Sequence, residues 1–142
     1  MRKYYIFMIK REYYDMYMKN NHILYQTLRT LSNISVENSS YGLELYSQIC
    51  DLFDTKRIKQ YFENINSKKN KNKYVVDFCN QITTFYVRKS CLVCITEDNI
   101  PSILRVLTYY YPYLFACDFE NEDYFFLNRS SLYPMKSLYF VN

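Results

Sequence analysis

Apolar residues run almost unbroken from Tyr4 to Ile9, a strand-length block without polar alternation. Such a run suits a strand buried on both faces, at or near the centre of a sheet. No helix breaker occurs from Arg11 to Lys19, and Asn20-Asn21 offers a stop, so a short helix follows the strand. A second helix is predicted over Ile23–Leu31, where Leu24, Leu28 and Leu31 recur at the spacing of one buried face. Ser32 to Ser40 is polar and reads as a loop. Tyr41 to Phe53 fits two periods. Tyr41, Leu43 and Leu45 alternate as in a strand, Leu45, Ile49 and Leu52 fit a helix, and the reading adopted is a strand near Leu45–Cys50. Asp54 is placed as the N-cap of a helix whose apolar face is Ile58, Tyr61, Phe62 and Ile65.

The polar run 67–73 reads as a loop, and Tyr74–Cys79 fits either helix or strand. Ile82–Val87 and Cys91–Thr96 are rich in β-branched and aromatic residues and form a predicted hairpin across Arg88-Lys89-Ser90. Asn99 is the expected cap of a helix with Pro101 in its first turn, driven inward by Ile103, Leu104, Val106 and Leu107 and ending before Pro112. Tyr113–Phe119 and Tyr124–Leu127 are the last strands, joined by the acidic turn 120–123. The stretch 129–142 still carries Leu132, Tyr133, Leu138, Tyr139 and Phe140 and is expected to pack on the core. No repeat or linker divides the chain. The expected fold is α+β, a single domain over 1–142, with a mixed sheet of about five strands and helices packed mainly on one face.

Composition adds a bias and removes some functions. Of 142 residues, 18 are Tyr, 10 are Phe, and only one is Gly. A loop that cradles phosphate needs several glycines, so Gly42 alone argues against one. The net charge is +4, modest for a nucleic-acid protein, and the cations gather in Lys68, Lys69, Lys71 and Lys73. That run reads more simply as a solvated segment than as a phosphate site. A small basic nucleic-acid-binding protein using this loop is the alternative function. Lys10 and Arg11 interrupt the first apolar stretch, so no leader peptide is expected. No apolar run reaches the length of a membrane helix. Five cysteines in such a chain read as free, buried thiols of a cytoplasmic protein.

Candidate chemistry is sparse. Cys91 and Cys94 match C-x-x-C, but a redox pair normally opens a helix, and residues three apart in a strand face opposite sides. A zinc site wants further ligands, and the single His22 is remote in sequence. His22 alone lacks the partners of a general base. Asp118 and Glu120 could pair as carboxylates, although Asp118 sits where a strand leaves the core. No catalytic residue, cofactor or metal is therefore expected. The first helix is different: Tyr13, Tyr14, Met16, Tyr17 and Met18 surround its axis. A helix that is apolar all round is either enclosed or displays a patch, and exposed aromatic patches mark protein–protein sites.

Two blocks of sequence resemble the sporulation inhibitor of replication (SirA) family. One is Tyr4-Tyr5-Ile6-Phe7-Met8-Ile9-Lys10-Arg11-Glu12, followed by aromatics at Tyr13 and Tyr17. The other is Pro112-Tyr113-Leu114-Phe115-Ala116-Cys117-Asp118-Phe119, followed by an aromatic strand ending Leu127-Asn128. The family's Arg-Tyr-Gly-Trp-Leu signature reads Asp123-Tyr124-Phe125-Phe126-Leu127 here. The resemblance implies a non-enzymatic α/β protein that binds the N-terminal domain of the bacterial replication initiator DnaA and blocks initiation. It places the contact on the aromatic helix and on a Gln before the middle helix, hence on Tyr13, Tyr17 and Gln48, with Tyr14 beside them. It implies no cofactor, no direct nucleic-acid contact, no membrane and a monomer.

Overall fold

The computed structural model describes residues 1–34, 40–65, 67–70, 73–97 and 100–127. The expectations for the cap at Asn99, for Asn128 and for the stretch 129–142 lie outside these residues.

The first strand, β1 (Arg2–Ile9), alternates between two cores. Tyr4 and Ile6 enter one, while Phe7 and Ile9 enter the other, and all four are essentially inaccessible. The unbroken apolar run thus means burial on both faces. The remaining strands are β2 (Cys50–Asp51), β3 (Ser67–Asn70), β4 (Lys73–Phe78), β5 (Gln81–Val87), β6 (Leu92–Thr96), β7 (Leu114–Asp118) and β8 (Asp123–Leu127). Their order is β3-β4-β5-β6-β1-β7-β8, and β2 extends the β6 edge of β1 by pairing Met8 with Asp51 and Ile9 with Cys50. Among the described residues the sheet has eight strands, not about five, and its pairings are antiparallel, not mixed. Consecutive strands here are joined mostly by hairpins, which cannot make parallel pairs.

Among the described residues, five helices flank the sheet: α1 (Arg11–Lys19), α2 (Asn21–Ile34), α3 (Ser40–Ser47), α4 (Thr55–Asn64) and α5 (Ile103–Tyr110). They cover both faces, not mainly one. Ile58 and Phe62 of α4 and Ile103, Leu104 and Leu107 of α5 close the core around Tyr4 and Ile6. Tyr17 of α1, Leu24, Tyr25 and Leu28 of α2, and Tyr46 of α3 close the core around Phe7 and Ile9. A central strand apolar on both sides requires a cover on each side.

Local chemistry explains the boundaries. Asp54 caps α4 as expected, its Oδ1 accepting from the Arg57 amide at 3.3 Å. α1 has no side-chain cap but carries Glu12 in its first turn and Lys19 in its last, each favourable to the helix dipole. The predicted strand near Leu45–Cys50 is replaced by α3 and a turn, leaving only Cys50–Asp51 as strand. The helical spacing of that segment prevails because Tyr46 reaches the core from α3 and stacks on Phe7 at 5.6 Å. Within 67–73, the polar run read as a loop, Ser67–Asn70 is the edge strand β3, paired with β4. Pro101 lies one residue ahead of the N-cap Ser102, not inside the first turn of α5, and the Ser102 amide donates to Gln81 Oε1 at 2.7 Å. The β5–β6 hairpin and the strands on either side of the acidic turn are found as predicted. Between β4 and β5, Cys79 and Asn80 both adopt positive φ, the geometry of a two-residue type I′ hairpin turn.

Candidate functional site

The aromatic helix sits at the mouth of β1. Lys10 donates its amide to the Ile49 carbonyl at 2.9 Å, and Tyr13 donates to Lys10 O at 3.0 Å. The turn carrying Gln48 is thereby tied to the start of α1, although the two are more than thirty positions apart in the chain. Gln48 is exposed. The fold places the Gln48 turn and the Tyr13 helix on neighbouring ground.

The rings of α1 do not share one environment. Tyr17 is only 8% exposed and belongs to the core with Leu24 and Cys50. Burial raises its phenol pKa, with Cys50 and Tyr13 adding to the effect. Tyr14 is half-buried, packed on Tyr113 at a centroid distance of 4.4 Å and edge-on to Phe126 at 5.2 Å. Tyr13 is also half-buried. The expectation that the helix displays its aromatic rings is thus met by Tyr13 and Tyr14 in part and not by Tyr17. The apolar residues that face water are Met16, 50% exposed, and Met18, 41% exposed, with Ile23 of α2 beyond them at 53%. Their availability could have been suspected from the all-round pattern, but periodicity gave no way to choose them over the tyrosines. Methionine adapts to irregular partners and is common in such surfaces.

The other candidates are structural. Asp118 is almost wholly buried, and its carboxylate accepts from Arg2 Nε at 2.9 Å and Asn121 Nδ2 at 2.8 Å. It also accepts from the Asn121 amide at 3.2 Å, so it organises the β7–β8 turn. Arg2 bridges onward to Asp123 at 2.8 Å. Desolvation opposes the Asp118 charge, yet the hydrogen bonds from Asn121 and Arg2 outweigh it and hold the carboxyl below its usual range. Glu120 is exposed and makes no pair with it among the described hydrogen bonds. His22 is exposed and its Nδ1 lies 3.1 Å from the Tyr124 hydroxyl.

Cys91 and Cys94 enter opposite cores, so they cannot act together. Burial drives the thiol pKa values of Cys50, Cys94 and Cys117 upward, away from thiolate character. No group of three His, Cys, Asp or Glu side chains that could hold a metal occurs among the described residues. A cleft of about 440 Å³ opens beside β1, with Tyr5, Phe7 and Cys91 among its lining and charges of both signs from Lys3, Arg88, Asp118 and Glu120. No helix among the described residues is long and apolar enough to cross a membrane.

The chain matches no protein-family model, and no curated protein is significantly similar to it.

Proposed function

We propose that this chain is a docking inhibitor that covers the N-terminal domain of the replication initiator DnaA and so blocks initiation. It does this without chemistry of its own. The observation that carries the reading is the apolar surface that α1 leaves in water, Met16 on the flank of the half-buried Tyr13 and Met18 on the opposite flank beside Tyr14. The Gln48 turn is hydrogen-bonded to the residue that starts this helix. The SirA resemblance puts the family contact on this helix, at Tyr13 and Tyr17, and on Gln48, and of these Tyr13 and Gln48 reach the surface while Tyr17 is buried. Tyr17 supports the patch from beneath, since a buried ring fixes the helix that presents the methionines. Methionine and tyrosine side chains anchor, and the exposed carboxamide of Gln48 locates the partner by hydrogen bonding. Occupying the initiator's domain denies that surface to its other partners.

Calorimetric titration of the purified initiator N-terminal domain into the full chain tests this. The expected result is saturable binding with a Kd of about 10 μM or tighter. Met16→Asp and Gln48→Ala should each weaken it about tenfold, a hot-spot effect of about 1.4 kcal/mol. No heat of binding at about 100 μM domain, with the chain folded, overturns the proposal.

A further inference from the structure

The charge of this protein is unevenly distributed. Between Asp54 and Lys73 there are seven Lys or Arg against two Asp or Glu, a local charge of +5 in a chain whose total is +4. The rest of the molecule is therefore slightly acidic. The described part of the basic segment comprises α4, on the face of the sheet opposite α1, and the edge strand β3 with the start of β4. Lys56, Arg57, Lys68 and Lys69 are exposed. The two β3 lysines also keep a sheet edge from pairing with other chains, but that role does not account for the cations of α4.

Tyrosines sit among these cations. A groove of about 390 Å³ runs between α4 and the end of α5, lined by Arg57, Gln60, Tyr61, Asn64, Tyr110 and Tyr111. Tyr110 is 61% exposed, and its ring packs at 4.9 Å from that of Tyr61. Tyr109 beside it is equally open at 61%. The Tyr61 hydroxyl is buried and has no hydrogen-bond partner among the described residues. Burial and the neighbouring phenols of Tyr110 and Tyr111 push its pKa up to about 12. The groove thus offers aromatic surface, two carboxamides and a guanidinium. Arg57 stands near one end of α4 and Lys69, which shares the α4 face with Tyr74, follows the other, and the ten residues of α4 span about 15 Å.

We infer that the α4–α5 groove and the β3 edge form a binding site for single-stranded nucleic acid. Cations along a track hold successive phosphates, and an exposed phenol face stacks on an unpaired base. Paired bases are already stacked and cannot use the tyrosines, which favours a single strand over a duplex. Cations at both ends of a groove floored by open phenols suit a chain that repeats a phosphate and a base, and an acidic protein, which could also use the rings, is separated by the poly-glutamate comparison below. The modest net charge argues against nucleic acid only when averaged over the whole chain. The site lies on the far face from α1 and stands independently of the initiator reading.

Fluorescence anisotropy of a labelled oligo(dT) of about 20 nucleotides with the full chain tests the site, at several salt concentrations. Binding should be micromolar at low salt, should weaken as salt rises, and should exceed that of a duplex of the same length. Tyr110→Ala should weaken binding at least fivefold, while Tyr110→Phe, which keeps the ring, should restore it. Lys69 lies over the Tyr74 ring on the α4 face whereas Lys68 points to the other side, so Lys69→Gln should flatten the log–log salt slope by about 0.7, one phosphate contact, and Lys68→Gln should leave it unchanged. Circular dichroism of each variant guards against misfolding. Absence of oligo(dT) binding at about 100 μM in low salt overturns the inference. So does unchanged affinity in a folded Tyr110→Ala variant, which would leave only a surface for polyanions. Equal binding of poly-glutamate would assign the face to an acidic protein instead.

Discussion

Tyr17 and Met16 are neighbours on one helix, and their substitution should have opposite consequences. Tyr17 is 8% exposed, enclosed with Leu24, Tyr25 and Cys50. Truncation to Ala removes a ring from a packed core and leaves a cavity, at a cost of about 3 kcal/mol. For a domain of this size, 1 kcal/mol corresponds to about 3 °C in Tm, so the expected drop is about 9 °C. Met16 is half exposed at 50%. Met16→Asp deletes half-exposed apolar surface and adds a negative charge to the C-terminal half of α1, four residues after Glu12, so it should cost only about 1 kcal/mol, well below Tyr17→Ala. Urea unfolding followed by circular dichroism measures both, and titration with the initiator domain measures the surface role separately. The expected pattern is a strongly destabilised Tyr17→Ala and a folded, binding-deficient Met16→Asp. A loss below about 1 kcal/mol for Tyr17→Ala would refute the reasoning, because the ring would then not be part of the core. Lost binding in Tyr17→Ala has no meaning without the stability measurement, since a loosened α1 would misplace the methionines.

Asp118→Ala should cost about 2–4 kcal/mol in urea unfolding at neutral pH, because Arg2 loses its most buried partner and the Asn121 turn loses its acceptor. The folded pKa of Asp118 is depressed, so its contribution is fully present above the unfolded value of about 3.9 and disappears as pH falls through the lower folded value. An acid titration should therefore show a steeper stability loss below about pH 4 for the wild type than for Asp118→Asn. Of the five thiols only Cys79 is exposed, so the native protein should react with one equivalent of a thiol reagent rapidly and with the rest only on unfolding. Two or more fast equivalents would contradict the burial of Cys50, Cys91, Cys94 and Cys117. Cys79 holds a positive φ of 52° that Asn tolerates better, and Cys79→Asn should stabilise by about 0.5–1 kcal/mol in the same unfolding assay.

Some of this was legible in one dimension because the physics is local. The β1 run reports burial on both faces, Asp54 reports a cap, and the β-branched stretches around Arg88-Lys89-Ser90 report a hairpin. Each signal depends on residues within a few positions of one another. The opposite-face placement of Cys91 and Cys94 also follows from strand geometry alone. The lysine strand β3 was illegible because its pairing is made by backbone groups. Its exposed Lys68 and Lys69 carry no alternation that the sequence could display.

The sequence by itself determined that the first helix carries more apolar surface than one stripe requires, since composition around the axis is a local property. Tertiary structure alone decided which of those side chains stay wet. That choice depends on where α2, Tyr113 and Phe126 stand, and these arrive from distant parts of the chain. The same applies to the meeting of Gln48 with the start of α1 and to the tyrosine groove between α4 and α5. Contacts across tens of residues are set by packing, which no short-range pattern encodes.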